Sequence, residues 1–107
     1  MKFETTPAFE SDFKRLKPEH QAAFKEVVGQ KFTAACDEYA ASISTGQPYV
    51  WPKSLRAKSV VGATGILEMT WSFASPDGRV TFEFITKPDG IYCRWRRVGD
   101  DGVFKEP

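Results

Sequence analysis

Between residues 7 and 16 the apolar positions Phe9, Phe13 and Leu16 recur at four and three residues, while Glu10, Asp12, Lys14 and Arg15 take the other side. That spacing predicts an amphipathic helix with Pro7 in its first turn. Pro18 stops it and opens a longer helix, to about residue 42, whose apolar stripe runs through Phe24, Val27, Val28, Phe32, Ala35 and Tyr39. Gly29 is a tolerated weakness inside it. A helical hairpin across Lys17-Pro18 follows. Ahead of the hairpin, Lys2-Phe3-Glu4-Thr5-Thr6 alternates and ends at Pro7, which suits a short strand that proline keeps from extending.

After Gly46, Pro48 and Pro52 the apolar period changes from 3.6 to 2, so helix gives way to sheet. Residues 55–61, 66–74, 79–86 and 91–98 are the expected strands. Gly62-Ala-Thr-Gly65, Ser75-Pro-Asp-Gly78 and Lys87-Pro-Asp-Gly90 separate them, and the two Pro-Asp-Gly loops are turns of the kind that join consecutive antiparallel strands. The expectation is an α+β fold: a short N-terminal strand, a helical hairpin, then a four-stranded, mainly antiparallel sheet packed on the helices.

Alternation assigns the sheet's faces. Leu67, Met69, Trp71 and Phe73, then Val80, Phe82 and Phe84, then Ile91, Cys93 and Trp95 belong to the helix side. Glu68, Thr70, Arg79, Thr81, Glu83, Tyr92, Arg94 and Arg96 belong to the other, with Arg56 and Lys58 beside them. One reading of that second face is the solvated side of an antiparallel sheet, laced by cross-strand ion pairs. The other is an anion-binding face, favoured by its preference for arginine, whose planar fork suits bidentate phosphate contact. On that reading Tyr92 and Trp95 are available for base stacking.

Composition narrows the field. The 107 residues are enough for one domain, and 41% apolar and 14% aromatic residues are enough for a core without staples, which excludes disordered and fibrous classes. Fifteen Lys+Arg against fourteen Asp+Glu leave +1, so any polyanion site must come from local clustering. Cys36 and Cys93 lack metal-ligand spacing and are read as free, buried thiols of a cytoplasmic protein. No apolar run approaches the length of a membrane span, and Met1 is followed by a polar segment instead of a signal core. His20, the single histidine, reads as a surface residue, which leaves no Ser-His-Asp or Cys-His chemistry. Trp51 beside Pro52 reads as a loop anchor.

The order strand, helical hairpin, meander, with Gly65-Ile-Leu-Glu-Met-Thr-Trp71, Asp77-Gly-Arg-Val-Thr-Phe82 and Trp95-Arg-Arg-Val-Gly99, resembles the RelE/ParE superfamily of toxins from type II toxin–antitoxin systems. With Lys53-Ser-Leu-Arg-Ala-Lys-Ser-Val-Val-Gly62 ahead of these motifs, the chain looks most like the branch of RelE-like cytotoxic translational repressors. The resemblance implies a microbial-RNase type of fold, a toxin that cuts mRNA on the ribosome, and a cognate antitoxin that covers the site. It implies chemistry without metal or cofactor: a base takes the ribose 2′-hydroxyl proton, the oxygen attacks phosphorus, arginines stabilise the developing charge, and an acid protonates the 5′-oxygen as it leaves. Carried over residue by residue, Glu68 is the base and Arg79 the phosphate contact. Arg94 and Arg96 line the same face, Asp101 is the candidate acid, and Phe104 stands where many members end in an aromatic residue. Lys53, Arg56, Lys58 and Arg97 are expected to contact RNA. The chain departs from the pattern after Val98-Gly99, where Asp100-Asp101-Gly102 replaces a small polar residue and His or a basic pair, and Phe104 lacks a hydroxyl. A gyrase-inhibiting toxin of the ParE kind and a non-toxic binding module of the same fold are the alternatives.

Overall fold

The computed structural model describes residues 1–71 and 78–99, with Ser54 and Trp71 described by backbone alone. The expected turn at 75–78 therefore falls largely outside the described residues, as do Phe73, Asp101 and Phe104. The elements are β1 (Lys2–Thr5), α1 (Pro7–Arg15), α2 (Pro18–Val27), a π-helical turn (Val28–Phe32), α3 (Thr33–Thr45), a 3-10 turn (Lys53–Leu55), β2 (Lys58–Ser59), β3 (Leu67–Trp71), β4 (Gly78–Lys87) and β5 (Gly90–Gly99). The fold is α+β, a helical hairpin on an open, mixed five-stranded sheet of order β1-β5-β4-β3-β2.

Helix α1 starts where Thr6 takes the N-cap. Its hydroxyl accepts from the Phe9 N–H at 3.1 Å and donates to the Arg96 carbonyl at 2.8 Å, so one residue both opens the helix and ties it to β5. At the other end the Gln21 side-chain amide donates to the carbonyls of Phe13 and Leu16, two of the acceptors a helix terminus leaves open. The π turn has a packing cause. Phe24 and Phe32 are eight residues apart, which on a regular helix places them about 80° apart. One extra residue in a wide turn restores both to the core side, where they are 6% and 0% exposed. The Thr33 hydroxyl donates to the Val28 carbonyl at 2.8 Å across this turn.

Trp95 is the hub of the core. Its ring meets Phe32 at 4.9 Å, Phe24 at 5.2 Å, Phe82 at 5.7 Å, Phe3 at 6.0 Å and Phe9 at 6.2 Å, so both helical segments and three strands converge on one side chain. At 5% exposure Trp95 is no base-stacking surface. Trp51 stacks on Phe32 and Phe84 and anchors the loop after α3. Cys36 and Cys93 are free and buried. No helix among the described residues is long and apolar enough to cross a membrane.

Three expectations are corrected. The sheet is five-stranded and mixed, not four-stranded, because β1 pairs in parallel with β5, Phe3 opposite Cys93. The strand expected over 55–61 shrinks to Lys58–Ser59, because Leu55 is drawn into the core by the 3-10 turn and Arg56 adopts a left-handed conformation at φ 53°. The outer face is not simply solvated: Glu68, Thr70 and Thr81 are buried. A bulge explains one further shift. Phe82 faces Trp95 but Thr81 faces Arg97, so Arg96 is the extra residue, and the reset alternation returns Val98 to the core at 2% exposure.

Candidate functional site

The site is assembled where β2 meets β3 and β4. Leu55 fixes the 3-10 turn, the left-handed Arg56 reverses the chain, and β2 then pairs Lys58 with Glu68. A non-glycine residue in that conformation costs roughly 1–2 kcal/mol and is found where the surroundings impose it. Glu68 pairs with Thr81, and one step along the same face Thr70 pairs with Arg79. The result is an open cleft of about 260 Å³ lined by Arg56, Ala57, Lys58, Thr70 and Arg79.

Its electrostatics are one-sided. Arg79 Nη1 donates to the Thr70 hydroxyl at 3.5 Å, and Lys58 Nζ lies 3.5 Å from Glu68 Oε1. The Lys58 side chain is 71% exposed and that of Glu68 8%, so the cation reaches the cleft while its carboxylate partner sits beneath. Glu68 does not itself line the cleft. Three cationic groups on a floor containing a threonine hydroxyl are suited to an anion with several oxygens, and to charge that develops on it. Among the described residues no group of three or more His, Cys, Asp or Glu side chains is arranged to hold a metal ion.

The remaining expected residues lie elsewhere. Arg94 and Arg96 belong to a ladder across β1, β5 and β4. Lys87 Nζ meets Glu4 Oε1 at 2.7 Å, Arg94 donates from Nε to Glu4 Oε2 at 3.2 Å and meets Glu83 at 3.7 Å, and Arg96 donates to Glu83. The hydrogen bond from Lys87, followed by that from Arg94, holds the Glu4 carboxyl below the usual carboxylate range. Tyr92 does not stack freely, because Lys87 lies 4.3 Å and Lys2 5.6 Å from its ring centre. Its hydroxyl donates to Asp89 at 2.7 Å and Lys2 donates to the same oxygen at 2.9 Å, which lowers the Asp89 pKa to about 2.

Arg97 is turned to helix α1, where Asp12 accepts from its Nε at 2.6 Å and from its Nη2 at 3.1 Å. Asp12 also accepts from the Val98 N–H at 3.2 Å, capping the edge of β5 beyond the end of β1. Arg97 is therefore a fold-holding residue, not part of the cleft. Lys53 is on the 3-10 turn next to the cleft, and Asp101 and Phe104 lie outside the described residues. Of the expected set, Arg56, Lys58, Glu68 and Arg79 are brought together.

Two roles were not among the expectations, that of Thr70 in the cleft and that of Asp12 in holding Arg97 to the fold. Thr70 was legible in principle, since alternation puts it on the face of Glu68. Asp12 was not, because a carboxylate on the polar side of a helix carries no local sign of a partner 85 residues away. No protein-family model, curated protein or solved structure matches this chain.

Proposed function

We propose that this protein is a toxin of a type II toxin–antitoxin system that cleaves mRNA on the ribosome, with the Arg56–Lys58–Arg79 cleft as its active site. The observation that carries the reading is the convergence, from the 3-10 turn and three separate strands, of those three cations with the Lys58–Glu68 pair. Arg79 and Arg56 take the scissile phosphate and stabilise the charge that builds on it. The Glu68 carboxylate, beside Lys58, takes the 2′-hydroxyl proton, the freed oxygen attacks phosphorus, and the bond to the 5′-oxygen breaks, leaving a 2′,3′-cyclic phosphate and a 5′-hydroxyl that takes its proton from water. The motif resemblance supplies the substrate class, and the cleft supports it with three cations for the phosphate and the Glu68 carboxylate next to Lys58. So small a set of groups leaves orientation of the RNA to the ribosome, so free RNA is a poor substrate. The site of action is the cytoplasm, and a cognate antitoxin neutralises the toxin by covering the cleft.

Induced expression in a bacterial host tests this. Wild type should arrest growth with a halt in protein synthesis and new mRNA 5′ ends within reading frames, and Arg79→Ala should relieve the arrest. Arrest accompanied by a DNA-damage response and intact mRNA would overturn the reading in favour of gyrase, and the absence of any toxicity would overturn it in favour of a binding module.

A further inference from the structure

Thr70 carries a buried hydroxyl on the outer face of β3; the residue is 2% exposed and lies on the same side of the strand as Glu68. A β-branched residue suits that position, but valine would fill it as well without taking a polar group out of water. The hydroxyl therefore needs a partner, and Arg79 Nη1 donates to it at 3.5 Å. Strand register builds this contact, because Thr70 and Arg79 are direct cross-strand partners, as Glu68 and Thr81 are one step before them. Thr70 and Arg79 also line the same cleft.

We propose that Thr70 is a positioning residue whose hydroxyl aims the Arg79 guanidinium at the scissile phosphate, a role that rests on the RNA cleavage proposed for this cleft. Arginine is a long, rotatable side chain, and its planar fork serves a phosphate only when held at the angle the oxygens need. Carboxylates hold Arg94, Arg96 and Arg97, and each sets a negative charge against the cation. The Thr70 oxygen accepts from Nη1 with no net charge, so it orients that end of the fork without cancelling the field an anion feels. Strand β3 thus carries both the proposed base, Glu68, and the group that aims the phosphate contact, which fixes one relative to the other. At 3.5 Å the bond is at the long end of the range, so it guides the guanidinium and lets it close on a ligand. Arg79 is half-buried and makes further contacts, so loss of the hydroxyl should weaken its action without abolishing it.

The test uses the full chain with inorganic phosphate as the probe, followed by NMR at the Arg79 Nε–Hε resonance, alongside cleavage of ribosome-bound mRNA. Thr70→Val keeps the shape and strand preference and removes the hydroxyl, whereas Thr70→Ser keeps the hydroxyl; both should unfold near the wild-type temperature. Thr70→Val should weaken phosphate binding by roughly three- to tenfold and lower kcat by about tenfold with little change in KM, since the ribosome supplies most of the binding. Thr70→Ser should restore most of both. Thr70→Val protein that binds phosphate or cleaves as well as wild type overturns the proposal. So does Thr70→Ser protein that falls as far as Thr70→Val, because the methyl and not the hydroxyl then matters, or a wild-type Arg79 resonance that ignores phosphate. Hydroxyl-dependent phosphate binding with mRNA left intact by wild type has a different meaning: it keeps Thr70 as the residue that presents Arg79 to an anion and overturns the cleavage instead.

Discussion

Replacing Asp12 with alanine should destabilise the fold by about 3 kcal/mol. Its carboxylate is 8% exposed and serves three donors, two from Arg97 and the backbone N–H of Val98. Removing one member of a buried ion pair costs ~3–5 kcal/mol because the other charge stays behind. Here the Arg97 side chain is 26% exposed, so water recovers part of that loss. The Val98 N–H, left buried without its acceptor, adds ~1–3 kcal/mol. Against a total stability of ~5–15 kcal/mol this is a large fraction, and for a domain of this size it lowers Tm by ~10–15 °C. Urea unfolding followed by tryptophan fluorescence reads it, since Trp95 sits at the centre of the core. Arg97→Ala should also destabilise, and Asp12→Ala with Arg97→Ala should lose less than the sum by at least ~1 kcal/mol. A loss under 1 kcal/mol for Asp12→Ala, or strict additivity, would refute the reasoning and return Arg97 to the pool of surface cations.

Acid should weaken the fold between about pH 4.5 and 2. Asp89, at about 2, and Glu4, below the usual range, are both depressed in the folded state by hydrogen bonds to their ionised forms. Their contribution is full above the unfolded carboxylate value of ~4 and disappears as pH falls through the folded values. The urea midpoint should drop over that window and the slope should flatten in Glu4→Gln with Asp89→Asn; an unchanged slope counts against the ladder. Burial, reinforced by contact with Cys36, raises the Cys93 pKa, so neither thiol should react with a disulfide reagent at pH 8 in the native protein. Both should react in denaturant, and rapid labelling of either in the native state contradicts the packing.

The helical hairpin and the strands β4 and β5 were legible because local periodicity determines them: Phe9, Phe13 and Leu16 on one side of α1, Val80, Phe82 and Phe84 on one side of β4. What could not be read depends on long-range pairing. Nothing in Lys2-Phe3-Glu4-Thr5 names Cys93 as a parallel neighbour, and nothing in Trp95-Arg-Arg-Val98 announces that Arg96 bulges and resets the alternation. Alternation alone presents the arginine-rich face as one surface. The fold divides it by strand: Glu4 and Glu83 bind up Arg94 and Arg96, Asp12 takes Arg97, and the cleft keeps Arg56, Lys58 and Arg79. A count of arginines could not make that division, because it depends on which carboxylate each strand register delivers.

The most direct test of the central claim is cleavage of a defined mRNA by the purified protein with and without ribosomes, mapped by primer extension. The cleft predicts cuts within the reading frame only when ribosomes are present, reduced by ~10²-fold or more in Arg79→Ala and Glu68→Gln proteins that unfold near the wild-type temperature. Intact mRNA on wild-type-treated ribosomes, or cleavage by both variants at the wild-type level, would contradict it.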